Sequence, residues 1–250
     1  MSEFRFKRFS VTNERSAMKV NTDGVLLGAL MTLRPDDRML LDVGTGTGTI
    51  ALMAAQRLSD MGLQHSAHIV AIDIDAPSAA EASANFIRSP WPQMLSAENV
   101  SLEGLAFRMA SAGYPPGTGL FDHVFSNPPY FETELKSPDL RRREARHAGS
   151  LSYREILDFA SRWLSPGGRC SLILPSEAEP DLCRHARMCG LFPERLVRVR
   201  TVPSRPPRRT VAEFSRVRPE RTSEESLVMQ EEGRYTEQYT GLTSEFYLWA

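Results

Sequence analysis

The sequence of 250 residues is poor in cysteine and lysine and lacks any long apolar run. Its three cysteines are too few, and odd in number, for a disulfide framework. No stretch approaches the roughly 18 apolar residues of a membrane span, and the first residues lack the apolar segment of a secretion signal. These absences exclude disulfide-rich secreted proteins and membrane proteins, so we expect a cytoplasmic protein with no membrane partner.

The chain also lacks a large net charge. Its 30 basic and 31 acidic side chains leave a formal net charge of −1, so a basic surface for nucleic acid has to be local. A composition of 41% hydrophobic and 24% charged residues is that of an ordinary globular protein. The length fits a single domain, which we expect to be monomeric.

Strand-like and helical segments alternate along the chain, which is typical of a parallel sheet covered by helices. Strands are predicted over 39–43, 68–72, 100–107, 121–126 and 170–174. Helices are predicted over 49–58, 77–87, 153–164 and 177–189, with a turn at 165–168. Two further strand-like segments, 196–202 and 210–217, predict a terminal antiparallel hairpin. This pattern indicates a doubly wound α/β fold, whose ligands bind beyond the carboxyl ends of the strands.

A glycine-rich loop follows the first predicted strand and contains Gly44, Gly46 and Gly48 after Asp42. Glycines at alternate positions let the backbone turn tightly and approach a ligand closely. A dinucleotide loop needs its third glycine three places after the second, and a phosphate loop needs a lysine; neither condition is met. Asp42 suits a cationic group better than a phosphate.

This segment resembles the motif with which class I methyltransferases bind S-adenosyl-L-methionine (AdoMet), acid-x-Gly-x-Gly-x-Gly. The resemblance implies a Rossmann-like fold, with a mostly parallel seven-stranded sheet and an antiparallel C-terminal hairpin. It also implies that Asp73, at the end of the second strand, accepts hydrogen bonds from the ribose hydroxyls of AdoMet. Asp75 is expected to cap the following helix. Glu103 is the candidate for the adenine amine of the cofactor.

The tetrapeptide Asn127-Pro128-Pro129-Tyr130 follows the fourth predicted strand. The Asn127 side-chain oxygen and the Pro128 carbonyl can accept hydrogen bonds from an exocyclic amine, and prolines restrict the backbone that carries them. Tyr130 offers a face on which a base can stack. The tetrapeptide resembles the catalytic motif of methyltransferases acting on adenine N6 and on glutamine N5, in which Asn127 also lies against the cofactor. The motif indicates an amine acceptor without saying which amine.

Further segments look like the bacterial tRNA1(Val) adenine-37 N6-methyltransferase family; these segments are 19–24, 121–131, 145–147, 164–169, 208–214 and 239–248. The resemblance implies a tRNA substrate and places Asp23 near the AdoMet pocket. It also implies a division into an N-terminal cover (1–38), an AdoMet-binding and catalytic core (39–190) and a C-terminal hairpin and tail (191–250). Because only 41 residues precede Asp42, we expect no helical domain of the kind found in release-factor methyltransferases.

Three alternatives stay open: a glutamine N5-methyltransferase acting on a protein such as a release factor, an rRNA amino-group methyltransferase, and a catalytically silent AdoMet-binding scaffold.

Arginine clusters predict an RNA-binding surface. Residues 195–209 contain six arginines and no acid, and residues 136–146 are also basic. Arginine binds phosphate in a bidentate manner, and the candidates are Arg141, Arg142, Arg146, Arg205, Arg208 and Arg209. Because the chain has 27 arginines and three lysines, a general preference for arginine is the competing explanation. The glutamates of 213–245 are expected to form a solvated face.

No metal site is expected. Cys183, His185 and Cys189 lie on one predicted helix, but their spacing matches no usual zinc pattern, and we interpret the thiols as buried.

Overall fold

The computed structural model describes residues 3–16, 19–129 and 151–249. Its helices are α1 (Thr22–Leu30), α2 (Thr49–Asp60), α3 (Ala76–Arg88), α4 (Leu102–Ser111), α5 (Tyr153–Trp163), α6 (Glu179–Met188) and α7 (Glu237–Thr243). A short antiparallel hairpin precedes them, formed by β1 (Glu3–Arg5) and β2 (Ser10–Thr12). The strands of the main sheet are β3 (Met39–Val43), β4 (His68–Asp73), β5 (Leu95–Asn99), β6 (Phe121–Ser126), β7 (Leu164–Pro175), β8 (Phe192–Arg200), β9 (Arg209–Ser215) and β10 (Ser223–Val228). A small hairpin follows, β11 (Gln230–Glu231) and β12 (Arg234–Tyr235).

The main sheet has the strand order β10-β8-β9-β7-β6-β3-β4-β5. Among its described strands, β9 alone runs antiparallel to its neighbours. The other strands therefore end at one edge of the sheet, here called the carboxyl edge, where β9 begins. The predicted α/β fold with a C-terminal hairpin is confirmed.

The sheet has one strand more than the seven expected, because β10 pairs with β8. Most of β10 is exposed, and its sequence Ser-Glu-Glu-Ser lacks the apolar alternation that marks a half-buried strand. Besides the strand pairing and the buried side chain of Leu227, ion pairs of Arg195 and Arg198 on β8 with Glu225 and Glu224 join β10 to β8.

The predicted third strand at 100–107 is wrong. The strand is β5, which lies earlier, and most of the predicted segment belongs to helix α4. The Ser101 side chain caps this helix by accepting a hydrogen bond from the backbone N–H of Gly104 (3.0 Å), and Leu102 and Leu105 pack into the core. The sequence Leu-Ser-Ala-Glu-Asn of β5 gives little strand signal because β5 is an edge strand.

The predicted turn at 165–168 lies inside β7 as a bulge. The pairing of β6 with β7 jumps from Phe121–Leu164 to His123–Arg169, so the intervening residues loop out of register. A Cβ on Gly168 would lie 2.8 Å from the carbonyl oxygen of Phe121, which explains a glycine at this close approach.

Both faces of the sheet are covered, as alternate residues of β3 show. Leu40 packs with side chains of α1, α2 and α3, whereas Leu41 packs with side chains of α4, α5 and α6. None of the described helices has the length and apolar character required to cross a membrane.

A buried ion pair joins β7 to the segment before β3. The Arg169 guanidinium donates to both carboxylate oxygens of Asp37 (3.0 and 2.5 Å) and to the backbone oxygen of Thr32 (2.7 Å). The side chains of Arg169 and Asp37 are 1% and 2% exposed. Removal of either partner would leave a charge buried without its counter-ion.

We expect Asp37→Ala to lower the free energy of unfolding by about 3–5 kcal/mol, because it leaves the buried Arg169 guanidinium without its carboxylate. Urea denaturation measures the change. The matched control is Asp36→Ala, which removes the exposed neighbouring carboxylate and should change stability by less than about 0.5 kcal/mol. Equal losses in the two variants would contradict a stabilising role for the pair.

Candidate active site

The glycine loop leaves the carboxyl edge between β3 and α2. Gly44, Gly46 and Gly48 all have positive φ angles, at 70°, 56° and 81°, which other residues adopt rarely. A Cβ on Gly48 would also lie 2.4 Å from a ring carbon of Phe86. The backbone N–H groups of Gly44 and Thr45 donate to the carbonyl oxygen of Ile72 at the end of β4. The loop is therefore held against the neighbouring strand.

Asp42 places a carboxylate beneath this loop, fully buried. Its Oδ2 accepts a hydrogen bond from the Thr45 hydroxyl (2.7 Å). No described residue donates a hydrogen bond of normal geometry to its Oδ1. Burial raises the pKa of Asp42 to about 7; the charge of Asp73 acts in the same direction, and the Thr45 hydroxyl and the Ala51 backbone N–H oppose it. A buried carboxylate oxygen without a partner fits a cationic ligand group.

Asp73 ends β4 and faces the same loop. Its Oδ2 accepts a hydrogen bond from the backbone N–H of Gly46 (2.8 Å) and its Oδ1 from that of Asp75 (2.9 Å). Burial raises the pKa of Asp73 above its ordinary value. Each carboxylate oxygen keeps a second lone pair that can accept a ligand hydroxyl. As expected, Asp75 caps α3 by accepting from the Ser78 backbone N–H (3.0 Å).

Glu103 is on the first turn of α4, not on a strand, and its side chain is exposed. The polar side chain that the structure brings beside Asp73 is Asn99, whose amide donates to the backbone oxygens of Asp73 and Ile74 (2.9 Å each). Sequence reasoning missed Asn99 because it placed the strand too late. Ser101 was the available signal, since serine before an apolar helical repeat marks a helix start.

The Asn-Pro-Pro segment leaves the carboxyl edge from the strand beside the glycine loop. Strand β6 pairs with β3 in register Asp42–Phe125, and the Ser126 hydroxyl donates to the carbonyl oxygen of Val43 (2.6 Å). Asn127 follows directly and is 8% exposed, and Pro128 is buried while Pro129 is half-buried. The two predicted segments therefore open from adjacent strands at one edge. Tyr130 lies outside the described residues.

The N-terminal segment is attached to the same edge through α3. The carboxylate of Glu81 accepts hydrogen bonds from three consecutive backbone N–H groups, those of residues 14, 15 and 16 (2.8–3.0 Å). The amide of Asn85 donates to the backbone oxygens of Thr12 and Thr47. Because Thr47 belongs to the glycine loop, Asn85 ties the loop to the N-terminal cover. Sequence reasoning singled out neither residue.

The predicted arginines differ in their surroundings. Arg205 and Arg208 are exposed in the connection between β8 and β9, at the carboxyl edge. Arg209 is half-buried, and its Nε donates to Oδ2 of Asp23 in the first turn of α1 (2.8 Å). Asp23 is thereby placed at the carboxyl edge, in an ion pair that the sequence did not indicate. Arg141, Arg142 and Arg146 lie outside the described residues.

The charge of the cluster at 195–209 is smaller than its sequence suggests. Arg195 pairs with Glu213 and Glu225, and Arg198 pairs with Glu179 and Glu224. Glu213 is itself buried, so the expectation that the C-terminal glutamates form a solvated face is wrong for it. These acids are distant in sequence. Glu213, Glu224 and Glu225 reach the arginines through strand pairing, whereas Glu179 approaches Arg198 from the start of α6.

No protein-family model matches the chain. Curated relatives named tRNA1(Val) (adenine(37)-N6)-methyltransferase match nearly its whole length. One from Bacteroides fragilis is 40% identical over 245 residues, covering 98% of this chain and 97% of its own. One from Mannheimia succiniciproducens is 37% identical over 246 residues, covering 98% and 94%.

Solved structures resemble the fold at low identity. A predicted O-methyltransferase from Agrobacterium tumefaciens has a TM-score of 0.64 at 19% identity, covering 90% of this chain and 96% of its own. A 16S rRNA N2 methyltransferase from T. thermophilus, in complex with AdoMet and guanosine, has a TM-score of 0.55 at 18% identity, covering 86% and 50%. Fold and near-full-length relatives agree: the chain belongs to the tRNA1(Val) (adenine(37)-N6)-methyltransferase family.

Proposed function

We propose that this protein transfers the methyl group of AdoMet to N6 of adenine 37 in the anticodon loop of tRNA1(Val). Family membership supports the reaction. The observation that carries it is the adjacency of the glycine loop and the Asn-Pro-Pro segment, which the β3–β6 pairing and the Ser126–Val43 hydrogen bond bring to one edge. Methyl transfer requires the methyl donor and the accepting amine to be bound next to each other, and two adjacent segments can bind them in this way. We further propose that the protein acts as a cytoplasmic monomer.

The residues around the glycine loop fit AdoMet. The unpartnered Oδ1 of Asp42 suits the ammonium group of the cofactor, because charge neutralisation offsets the cost of a buried carboxylate. Gly44, Gly46 and Gly48 carry no side chain that would keep a ligand from the loop backbone, and Asp73 has lone pairs for the ribose hydroxyls. Asp23 and Glu103 are included in the proposal as further cofactor contacts. Bound AdoMet supplies an activated methyl group.

Asn127 and Pro128 are proposed to hold the adenine amine. The lone pair of that nitrogen is delocalised into the ring, so acceptors aimed at its hydrogens favour the tetrahedral nitrogen that can attack. The burial of Asn127 and Pro128 strengthens such hydrogen bonds. Pro129 restricts the backbone, and Tyr130 would stack on the base, a contribution of about 1–3 kcal/mol. The nitrogen releases its proton during or after transfer, so alignment is the main catalytic task.

Arginines near the carboxyl edge are proposed to bind the tRNA backbone. Arg205 and Arg208 are exposed there, and Arg209 is positioned by Asp23. Arg141, Arg142 and Arg146 follow the catalytic segment in sequence and are included on that ground. Bidentate contacts to phosphate would orient the anticodon loop without reading its sequence.

A comparison of acceptors tests the proposal directly. The full-length protein is incubated with methyl-labelled AdoMet and, separately, with bulk tRNA, rRNA and a release factor, and labelled nucleosides are then mapped. Label in N6-methyladenosine at position 37 of tRNA1(Val) is expected. Label in rRNA or in glutamine would instead establish one of the two rival amine acceptors, and no label in any acceptor would favour a binding scaffold.

Asp42 should make AdoMet binding depend on pH. With a pKa of about 7 in the free protein, its carboxyl is increasingly neutral below pH 7, and binding of an ammonium group requires it to ionise. We expect affinity to fall by up to about tenfold per unit between about pH 7 and 5.5, where the amino group of AdoMet stays charged. Asp42→Asn should bind more weakly at pH 7 and show a flatter profile by calorimetry.

Two controls accompany this prediction. Asp36→Asn, at an exposed carboxylate, should keep the wild-type profile. Because burial raises the pKa of Asp42 from 3.8 to about 7, the wild type should lose stability relative to Asp42→Asn as pH rises from about 4 to about 7, and the difference should level off above pH 7. If the AdoMet affinity of Asp42→Asn fell with pH as steeply as that of the wild type, a group other than Asp42 would be responsible for the pH dependence.

Asn127→Ala should lower turnover by about 10²–10³-fold or more while AdoMet binding is retained, because one of two acceptors for the amine is lost. Single-turnover methyl transfer and equilibrium cofactor binding separate the two effects. Gln93→Ala, which removes an exposed amide in the turn before β5, is the matched control and should leave turnover unchanged. Near-normal turnover in Asn127→Ala would refute the assigned role.

Arg205→Ala combined with Arg208→Ala should weaken tRNA binding and reduce its salt dependence, by about 0.7–0.9 in the log–log slope for each lost phosphate contact. Filter binding at several salt concentrations measures both quantities. The control Arg221→Ala removes an exposed arginine from the connection before β10, at the opposite edge. An unaltered slope in the double variant would leave arginine-rich composition as the explanation of the cluster.

A further inference from the structure

Helices α5 and α6 bring together three side chains that the methyl-transfer site does not use. Oδ1 of Asp158, on α5, lies 3.2 Å from Nε2 of His185 on α6. The Cys189 thiol, just beyond the end of α6, donates to the same oxygen at 2.9 Å. One donor atom from each residue lies within 4.8 Å of the other two.

The backbone explains this convergence. His185 and Cys189 are four residues apart at the end of one helix, so their side chains lie on the same face one turn apart. Asp158 faces them from the middle of the neighbouring helix. The spacing along one helix predicts only the imidazole and the thiol, because the third group, Asp158, comes from the neighbouring helix through packing.

The three groups form a chemically coherent ligand set. Imidazole nitrogen, thiolate sulfur and carboxylate oxygen are the ligands of Zn²⁺, whereas Mg²⁺ and Ca²⁺ select oxygen alone. Tetrahedral coordination at 2.0–2.3 Å separates neighbouring donor atoms by roughly 3.3–3.7 Å. The observed separations of 2.9 and 3.2 Å would need to widen by less than about 1 Å.

We propose that Asp158, His185 and Cys189 form a binding site for Zn²⁺ or a similar borderline-soft divalent cation, separate from the methyl-transfer site. On binding, the Cys189 thiol releases its proton to solvent, and the hydrogen bonds to Asp158 are replaced by three bonds to the metal. Because Asp158 is exposed and the other two residues are half-buried, water can take the fourth position.

The metal would connect α5 and α6 at a second point. Near the carboxyl edge these helices are already joined, since Asp181 of α6 accepts hydrogen bonds from Tyr153 and Arg154 of α5. Leu151, just before α5, would lie 3.1 Å from a Cβ on Gly44, so the segment that leads into α5 packs against the glycine loop. A second connection should therefore stabilise the fold without entering the reaction.

Metal titration of the full-length protein tests the site. After removal of bound metal with a chelator, Zn²⁺ is titrated against a chromophoric competitor, and Co²⁺ is used to detect a thiolate-to-metal charge-transfer band. One equivalent is expected, with a charge-transfer band and a raised unfolding temperature. Asp158→Asn, His185→Ala and Cys189→Ser should each weaken Zn²⁺ binding by about tenfold or more.

Two variants control for adventitious binding. Cys183→Ala removes the other thiol of α6, and His65→Ala removes an exposed imidazole elsewhere; both should bind Zn²⁺ as the wild type does. Asp158→Asn keeps the size and acceptor oxygen of an exposed side chain, so its folding is expected to be preserved. The absence of a charge-transfer band in the wild type, or a band that persists in Cys189→Ser, would overturn the proposal.

Discussion

Parallel pairing of β3 with β6 is the constraint on which the candidate active site depends. It places Asp42 beside Phe125, so that the glycine loop and Asn127 begin one or two residues later at the same edge. The hydrogen bond from Ser126 to the Val43 carbonyl maintains this register where the strands end. Without the β3–β6 pairing, the glycine loop and the Asn-Pro-Pro segment would be two unrelated turns. The proposed methyl transfer depends on this proximity of the two segments.

The same edge carries an energetic cost. Asp42 is buried with one oxygen lacking a partner, and Asp73 adds a second partly buried carboxylate nearby, so ionisation of Asp42 is unfavourable in the free protein. The proposed binding of an ammonium group would remove that cost, so AdoMet should also stabilise the fold. The side chains of Asn85 and Glu81 also stabilise the arrangement, because their hydrogen bonds to backbone atoms connect the loop and α3 to the N-terminal segment.

Several arginines elsewhere in the molecule form ion pairs that contribute to the fold. Arg195 and Arg198 attach the acidic edge strand β10, and Arg169 is buried against Asp37. A cluster of six arginines that is strongly basic in sequence is therefore reduced to two exposed ones, Arg205 and Arg208, at the carboxyl edge. Arginine count alone is a poor measure of RNA-binding surface in this chain, because ion pairs with distant glutamates decide which guanidinium groups face solvent.

The sequence by itself determined the α/β fold class, the glycine loop after β3, the acid that ends β4 and the Asn-Pro-Pro segment after β6. These features depend on local backbone chemistry: glycine permits positive φ, proline restricts its neighbours, and apolar runs mark buried strands. Tertiary structure alone decided the true position of the polar strand β5, the addition of β10, the Asp23–Arg209 pair and the convergence of Asp158 with His185 and Cys189. Each of these joins residues far apart in the chain, and their contacts depend on strand register and helix packing, which no local pattern encodes.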